Sequence, residues 1–279
     1  MFEKIYVDWE GECKLGEAIV ITSGKGGVGK TTTTANIGTA LALMDKKVCL
    51  IDTDIGLRNL DVVMGLENRI IFDIVDVINE RCRLSQALVQ DKRFESLSLL
   101  PAAQTSDKSA LTREGMIKII TELKKDYDYI IIDCPAGIEQ GFQNAVAGAD
   151  KAIVVTTPEK SSVRDADRII GLIEQEEMER PRLIVNRIRN QMMERGDMLE
   201  IDEIVQILSI ELLGIVIDSD DVIKASNEGE PIALTPDNKA SIAYRNIARR
   251  ILGETVPLQS LEEEKGMFQK LKGFFGIRS

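Results

Sequence analysis

The chain has 279 residues, 44% of them hydrophobic, and a formal net charge of −11. That length suits one large α/β domain with a buried core, and the acidic balance argues against a surface built to wrap nucleic acid. There is no histidine, which excludes histidine general bases, Ser-His-Asp triads and histidine-ligated zinc and leaves carboxylates, lysines, arginines, hydroxyls, backbone amides or an oxygen-bound metal.

Residues 1–15 are mixed and charged and do not read as a signal peptide. Strands are predicted over 18–22, 47–52, 96–101, 129–133, 151–157, 182–187 and 212–217. They are short, rich in Ile and Val, and mostly continuous rather than alternating, as strands buried on both faces of a parallel sheet are. Amphipathic helices are predicted over 30–44, 112–125, 161–174 and 201–208, then 220–227 and 238–252. The alternation implies an α/β fold, a doubly wound, mostly parallel sheet with helices on both faces, spanning 16–252. Residues 253–264, with Pro257 and the acidic run Glu262 to Glu264, read as a linker. No apolar run reaches the ~20 residues of a spanning helix. Cys13, Cys49, Cys82 and Cys134 show no CxxC spacing and are expected to be structural thiols in a reducing cytosol.

Between the first strand and the first helix runs Ser23-Gly24-Lys25-Gly26-Gly27-Val28-Gly29-Lys30-Thr31-Thr32. It matches G-x-x-x-x-G-K-[ST] in a strand–loop–helix context, the arrangement of a phosphate-binding loop. Glycines let the backbone turn tightly and aim its amides at phosphate oxygens, and the following helix adds its N-terminal dipole. Gly26, Gly27, Val28, Gly29, Lys30, Thr31 and Thr32 are thus expected to hold ATP. Lys30 would reach the β- and γ-phosphates, and the Thr31 hydroxyl would ligate magnesium. Lys25 is additional, since an ordinary loop of this type needs no lysine so early.

The second strand ends in Asp52-Thr53-Asp54. Ligands in parallel α/β sheets sit at the carboxyl ends of strands, and alternation puts Asp52 and Asp54 on one side. With no histidine present, Asp54 is the candidate for orienting an attacking water, and Asp52 a candidate for the magnesium sphere. The strand at 129–133 ends in Ile130-Ile131-Ile132-Asp133, a Walker B pattern in which Asp133 would hold magnesium through water. A helix N-cap is the alternative reading for either carboxylate. Asn186 ends another strand and carries an amide able to pair with an adenine edge, although a strand-end Asn is often a turn residue. The 231–237 loop is expected near the base.

At the end of the chain, Met267, Phe268, Leu271, Phe274 and Phe275 share one helical face, flanked by Lys265, Lys270 and Lys272. A basic, aromatic, amphipathic helix over 265–279 suits an anionic membrane surface; docking on the protein's own core is the alternative.

The string Lys25-Gly26-Gly27-Val28-Gly29-Lys30-Thr31 resembles the deviant Walker A ATPases. The strings at 16–23, 54–61 and 133–139, together with the tail, resemble the MinD branch of that family. The resemblance covers nearly the whole chain from Gly16. It implies a slow, partner-stimulated, magnesium-dependent ATPase that dimerises on ATP. Lys25 would reach the partner's nucleotide, Asp54 would be the switch I aspartate, and Asn186-Arg187 would lie beside adenine. It further implies a membrane switch in the cytoplasm and at the inner face of the membrane. There the ATP dimer presents two tails and recruits a MinC-type division inhibitor, and MinE or another topological factor stimulates hydrolysis. Family members usually begin with Met at the place of Leu15. The expectation is therefore that residues 1–14 precede the native start, with Leu15 encoded by an alternative start codon such as TTG. Thr235 also departs, since relatives often carry Asp there. Partition ATPases and flagellar-number regulators of the same family are the alternatives. The first should show a basic surface, and the second a Gln-rich N-terminal motif that 1–17 lacks.

Overall fold

A computed structural model describes residues 15–138, 140–176 and 178–259; the segments 1–14 and 265–279 lie outside the described residues. Among the described residues eight strands form one sheet. They are β1 Glu17–Thr22, β2 Val48–Asp52, β3 Val89–Gln90, β4 Leu97–Leu100, β5 Tyr129–Asp133, β6 Lys151–Thr156, β7 Arg182–Ile188 and β8 Leu212–Ile217. Their spatial order is β3-β4-β2-β5-β1-β6-β7-β8, parallel throughout except at the β3–β4 edge. The helices are α1 Lys30–Ala42, α2 Leu60–Met64, α3 Ile74–Ile78, α4 Leu84–Ala87, α5 Arg113–Leu123, α6 Gln140–Val146, α7 Lys160–Gln175, α8 Asn190–Glu194, α9 Ile201–Leu208, α10 Asp220–Asn227 and α11 Lys239–Ile251.

The seven predicted strands and six predicted helices are all present, with ends shifted by a few residues. The antiparallel β3 and the short helices α2, α3, α4, α6 and α8 are additional, because two to seven residues carry no readable period. The continuous apolar strands are buried on both faces. Ala18 and Val20 face one core layer with Ile130 and Ile132, while Ile19 and Ile21 face the other with Ile131. The strand predicted to end at 187 runs on to Ile188 through a register shift after Val185, where Arg187 takes a left-handed φ of 56°.

The sheet order reverses around β1, so the loop leaving β1 opens at the carboxyl edge between β5 and β6, where open α/β sheets bind ligands. α1 then crosses the sheet almost wholly buried. Within it Asn36 donates to the Thr32 carbonyl and accepts from the amide of Ala233, both at 2.8 Å, and so ties α1 to the 231–237 loop. Asn36→Ala would leave the Ala233 amide buried without a partner. The expected cost is about 1–3 kcal/mol, read as a lower denaturant midpoint at unchanged slope.

Candidate functional site

Gly24 is where the β1–α1 loop meets the rest of the domain. A Cβ placed there would lie 2.1 Å from the Asp165 carbonyl oxygen, so the loop runs against the backbone of α7. Inside the loop, Ser23 Oγ accepts from Lys30 Nζ at 3.0 Å and donates to the Lys25 carbonyl at 2.8 Å. Lys30 is thereby held inward and buried, while Lys25 points outward and donates to Glu159 and Ser161 at the start of α7, both at 3.3 Å. Its side chain and that of Glu159 are about half exposed, 43% and 52%, so this ion pair contributes at most about 1 kcal/mol. α1 begins behind Gly29 with no side-chain cap and no acidic residue in its first turn. Its unneutralised amino end is therefore open to an anion.

Asp52 and Asp133 are register partners at the ends of β2 and β5, and both are buried. Burial raises both carboxyls well above the usual range, and for Asp133 the Asp52 charge raises it further. Asp133 accepts a hydrogen bond from Thr31 and lies within reach of the Lys30 charge. Asp52 is differently employed. Its Oδ1 accepts from the amide of Asp54 at 2.9 Å, and its Oδ2 from those of Asn59 and Leu60 at 3.2 Å. The carboxylate thus folds the loop after β2 back over the strand end and holds the entrance of α2. Asp54 sits in that loop, half-buried, and its charge acts on both neighbouring carboxyls.

Two adjacent buried carboxylates and a threonine hydroxyl are hard oxygen donors that fit a magnesium ion. Among the described residues no cluster of three or more His, Cys, Asp or Glu side chains could hold a metal. A divalent ion here would take further ligands from phosphate and water, as magnesium does.

Beside the loop lies a cavity of about 270 Å3, walled by Gly29, Thr32 and Asn186 on one side and by α10 with residues 216–219 on the other. Asn186 lines it, but its amide donates to the Val28 carbonyl at 2.8 Å and its oxygen accepts from the Arg187 amide at 2.9 Å. It therefore braces the loop as well as facing the cavity. The 231–237 loop, expected beside the base, packs elsewhere: the Ala233 carbonyl accepts from Arg245 and Ser241 of α11. Sequence reasoning missed the α10 wall, Glu159 and Ser161, since no local pattern ties residues so far along the chain to the loop. A larger hollow of about 470 Å3 opens near Lys47, Ser96 and Tyr127; no residue of the loop or the carboxylate pair lines it.

The same arrangement recurs in known proteins. A family profile described as an AAA domain matches residues 16–185. The septum site-determining protein MinD of Bacillus subtilis is 73% identical over 268 residues, 95% of this chain and all of the relative. The chain belongs to the MinD family. Among solved MinD structures, one from an Aquifex aeolicus MinC:MinD complex is 53% identical with a TM-score of 0.82, covering 88% of this chain and 99% of that one. A second, the Pyrococcus horikoshii MinD complexed with Mg-ADP, is 28% identical with a TM-score of 0.78, covering 85% and 96%. MinD proteins are cell division ATPases, and the loop, carboxylate pair and side cavity described above suit that activity. No helix among the described residues is long and apolar enough to cross a membrane.

Gly29 gives the sharpest check on the loop. Its φ is 97°, and a Cβ there would lie 2.3 Å from Asn186 Nδ2. Gly29→Ala should weaken ATP binding by about ten-fold or more by calorimetry, since a misplacement near 1 Å already costs about that much or more at such sites, while the far-ultraviolet spectrum stays native.

Proposed function

We propose that this chain is an ATP-driven membrane switch that helps place the division septum by bringing a MinC-type inhibitor to the membrane. The observation that carries this reading is the contrast between the two lysines of one loop. Lys30 is buried and aimed at the phosphate position, whereas Lys25 stands at the exposed rim on a weak tether. A lysine so placed can leave Glu159 at little cost and extend to the nucleotide of a second copy, a charge supplied in trans like an arginine finger. ATP binding and dimerisation are then one event.

Within each copy, the backbone from Gly26 to Thr32 and the amino end of α1 receive the phosphates, and Lys30 neutralises them. Thr31 and Asp133 would hold magnesium, with Asp52 behind them fixing the loop. When bound, the ion neutralises charge on the phosphate oxygens. Asp54 orients the attacking water. Asn186 and α10 border the base. The Met267, Phe268, Leu271, Phe274 and Phe275 face, with Lys265, Lys270 and Lys272 beside it, serves as the membrane anchor. One such short helix binds weakly. Two on a dimer gain a further ~10²–10⁴ in apparent affinity, so ATP loads the membrane and hydrolysis releases it. The MinC:MinD complex of the Aquifex relative supports a MinC-type partner. MinE or another topological factor would set the hydrolysis rate, and the acidic chain is assigned no specific nucleic acid.

The test is co-sedimentation with anionic vesicles. ATP but not ADP should bring the protein down, and deletion of 267–279 should abolish this. Asp54→Ala should remain on the vesicles with turnover reduced about 10²-fold or more. Lys25→Ala should bind ATP yet stay monomeric by light scattering. Nucleotide-independent sedimentation, or full turnover by Asp54→Ala, would overturn the assignment.

A further inference from the structure

α2 is five residues long, too short to hold its orientation by its own hydrogen bonds. Its entrance is held by Asp52, through the amides of Asn59 and Leu60. Its exit is held by Arg93, a residue that belongs to neither the phosphate loop nor the carboxylate pair. Arg93 donates from Nη2 to the Met64 carbonyl at 2.8 Å and from Nη1 to the Gly229 carbonyl at 3.1 Å. Met64 closes α2, and Gly229 lies just past α10, the helix that walls the side cavity.

The guanidinium is itself fixed by Asp91, a buried carboxylate that takes Nη2 at 2.6 Å and Nε at 3.0 Å. Where Arg93 bridges them, the two backbones touch. Gly65 and Gly229 both have left-handed φ, 66° and 67°. A Cβ on Gly229 would come within 2.6 Å of Gly65 Cα, and one on Gly65 within 2.7 Å of the Gly229 oxygen. Two backbones packed this closely cannot slide independently.

We propose that Arg93 is a positioning residue for hydrolysis: it joins α2 to α10 at the Gly65–Gly229 crossing, so that a base seated against α10 steadies the loop carrying Asp54. The path runs from the side cavity through α10, Gly229, Arg93 and Met64 to α2, and from its entrance through Asp52 to the Asp54 amide. Every link is a hydrogen bond or a backbone contact. This rests on the reading of the cleft as an ATP site. The strut gives nucleotide identity a route to the catalytic loop that the phosphates alone do not use, which is a coupling between two parts of one ligand.

Hydrogen exchange at residues 54–60 tests this, with the full chain and ADP or inorganic pyrophosphate as the probe. In the wild type, ADP should slow exchange there about ten-fold more than saturating pyrophosphate does, within the usual range of such couplings. Two variants should erase the difference. Arg93→Lys keeps the charge beside Asp91 but loses the fork that spans both carbonyls. The pair Asp91→Leu with Arg93→Met removes both charges and leaves neither buried alone. The ratio of ATP to tripolyphosphate turnover should fall in parallel, whereas a merely structural loss would lower both substrates together. ADP-specific protection that survives in a folded variant, or none in a wild type that binds ADP, overturns the coupling. A wild type that binds no ADP removes the cleft reading, and the coupling with it.

Discussion

Two carboxylates side by side at the end of a parallel sheet repel one another, and burial makes each worse. Asp52 and Asp133 are in that position, and much of the local architecture compensates for it. Asp52 is surrounded by three amides from the loop that follows it, which therefore has to curl back over its own strand. Asp133 leans on Thr31 and on the charge of Lys30, which requires α1 to start where it does, immediately behind Gly29. The glycine loop closes the remaining space, pressed onto α7 at Gly24. A site under this strain has one natural relief, a divalent cation with phosphate oxygens around it. On this view the affinity for metal and nucleotide follows from an electrostatic problem built into two neighbouring strand ends.

Much of this was legible in the sequence, for identifiable reasons. Continuous Ile and Val runs can only be strands covered on both faces, and seven were found that way. The phosphate loop announces itself because few other backbones need so many glycines before a lysine and a helix. What was not legible depends on residues distant in sequence. β3 is two residues of an edge, and α2, α3, α4, α6 and α8 are held by what they pack on rather than by period. The partners of Lys25 lie more than a hundred residues further along at Glu159 and Ser161. Asn186 could be read as facing a base, but its hold on the Val28 carbonyl could not, since that bond exists only once β7 is laid beside the loop. The 231–237 segment was expected at the base because it follows the last strand. Asn36, Ser241 and Arg245 instead draw Ala233 toward α1 and α11, and α10 takes the place beside the cavity.

The family likeness and the local chemistry agree on the nature of the cleft, and they reach it independently. High identity to the Bacillus MinD would hold whatever the side chains did in detail. The inward Lys30, the outward Lys25 and the paired carboxylates would suggest a phosphate-handling site without any relative. The two lines differ in what they leave open. Likeness says little about how the side cavity is connected to the loop after β2, whereas the hydrogen bonds of Asp52 and Arg93 trace that connection residue by residue.

At the far side of the domain, Arg250 near the end of α11 donates to the Leu213 carbonyl at the start of β8 and to those of Val256 and Pro257. The chain after α11 is thereby moored at the amino edge of the sheet, whereas the phosphate loop opens at the carboxyl edge. A six-residue strand such as β8 spans about 20 Å, so the two ends of this molecule face opposite directions. Geometry of that kind suits a polar device, in which one edge reads the fuel while the other is left clear for whatever surface the protein is standing on.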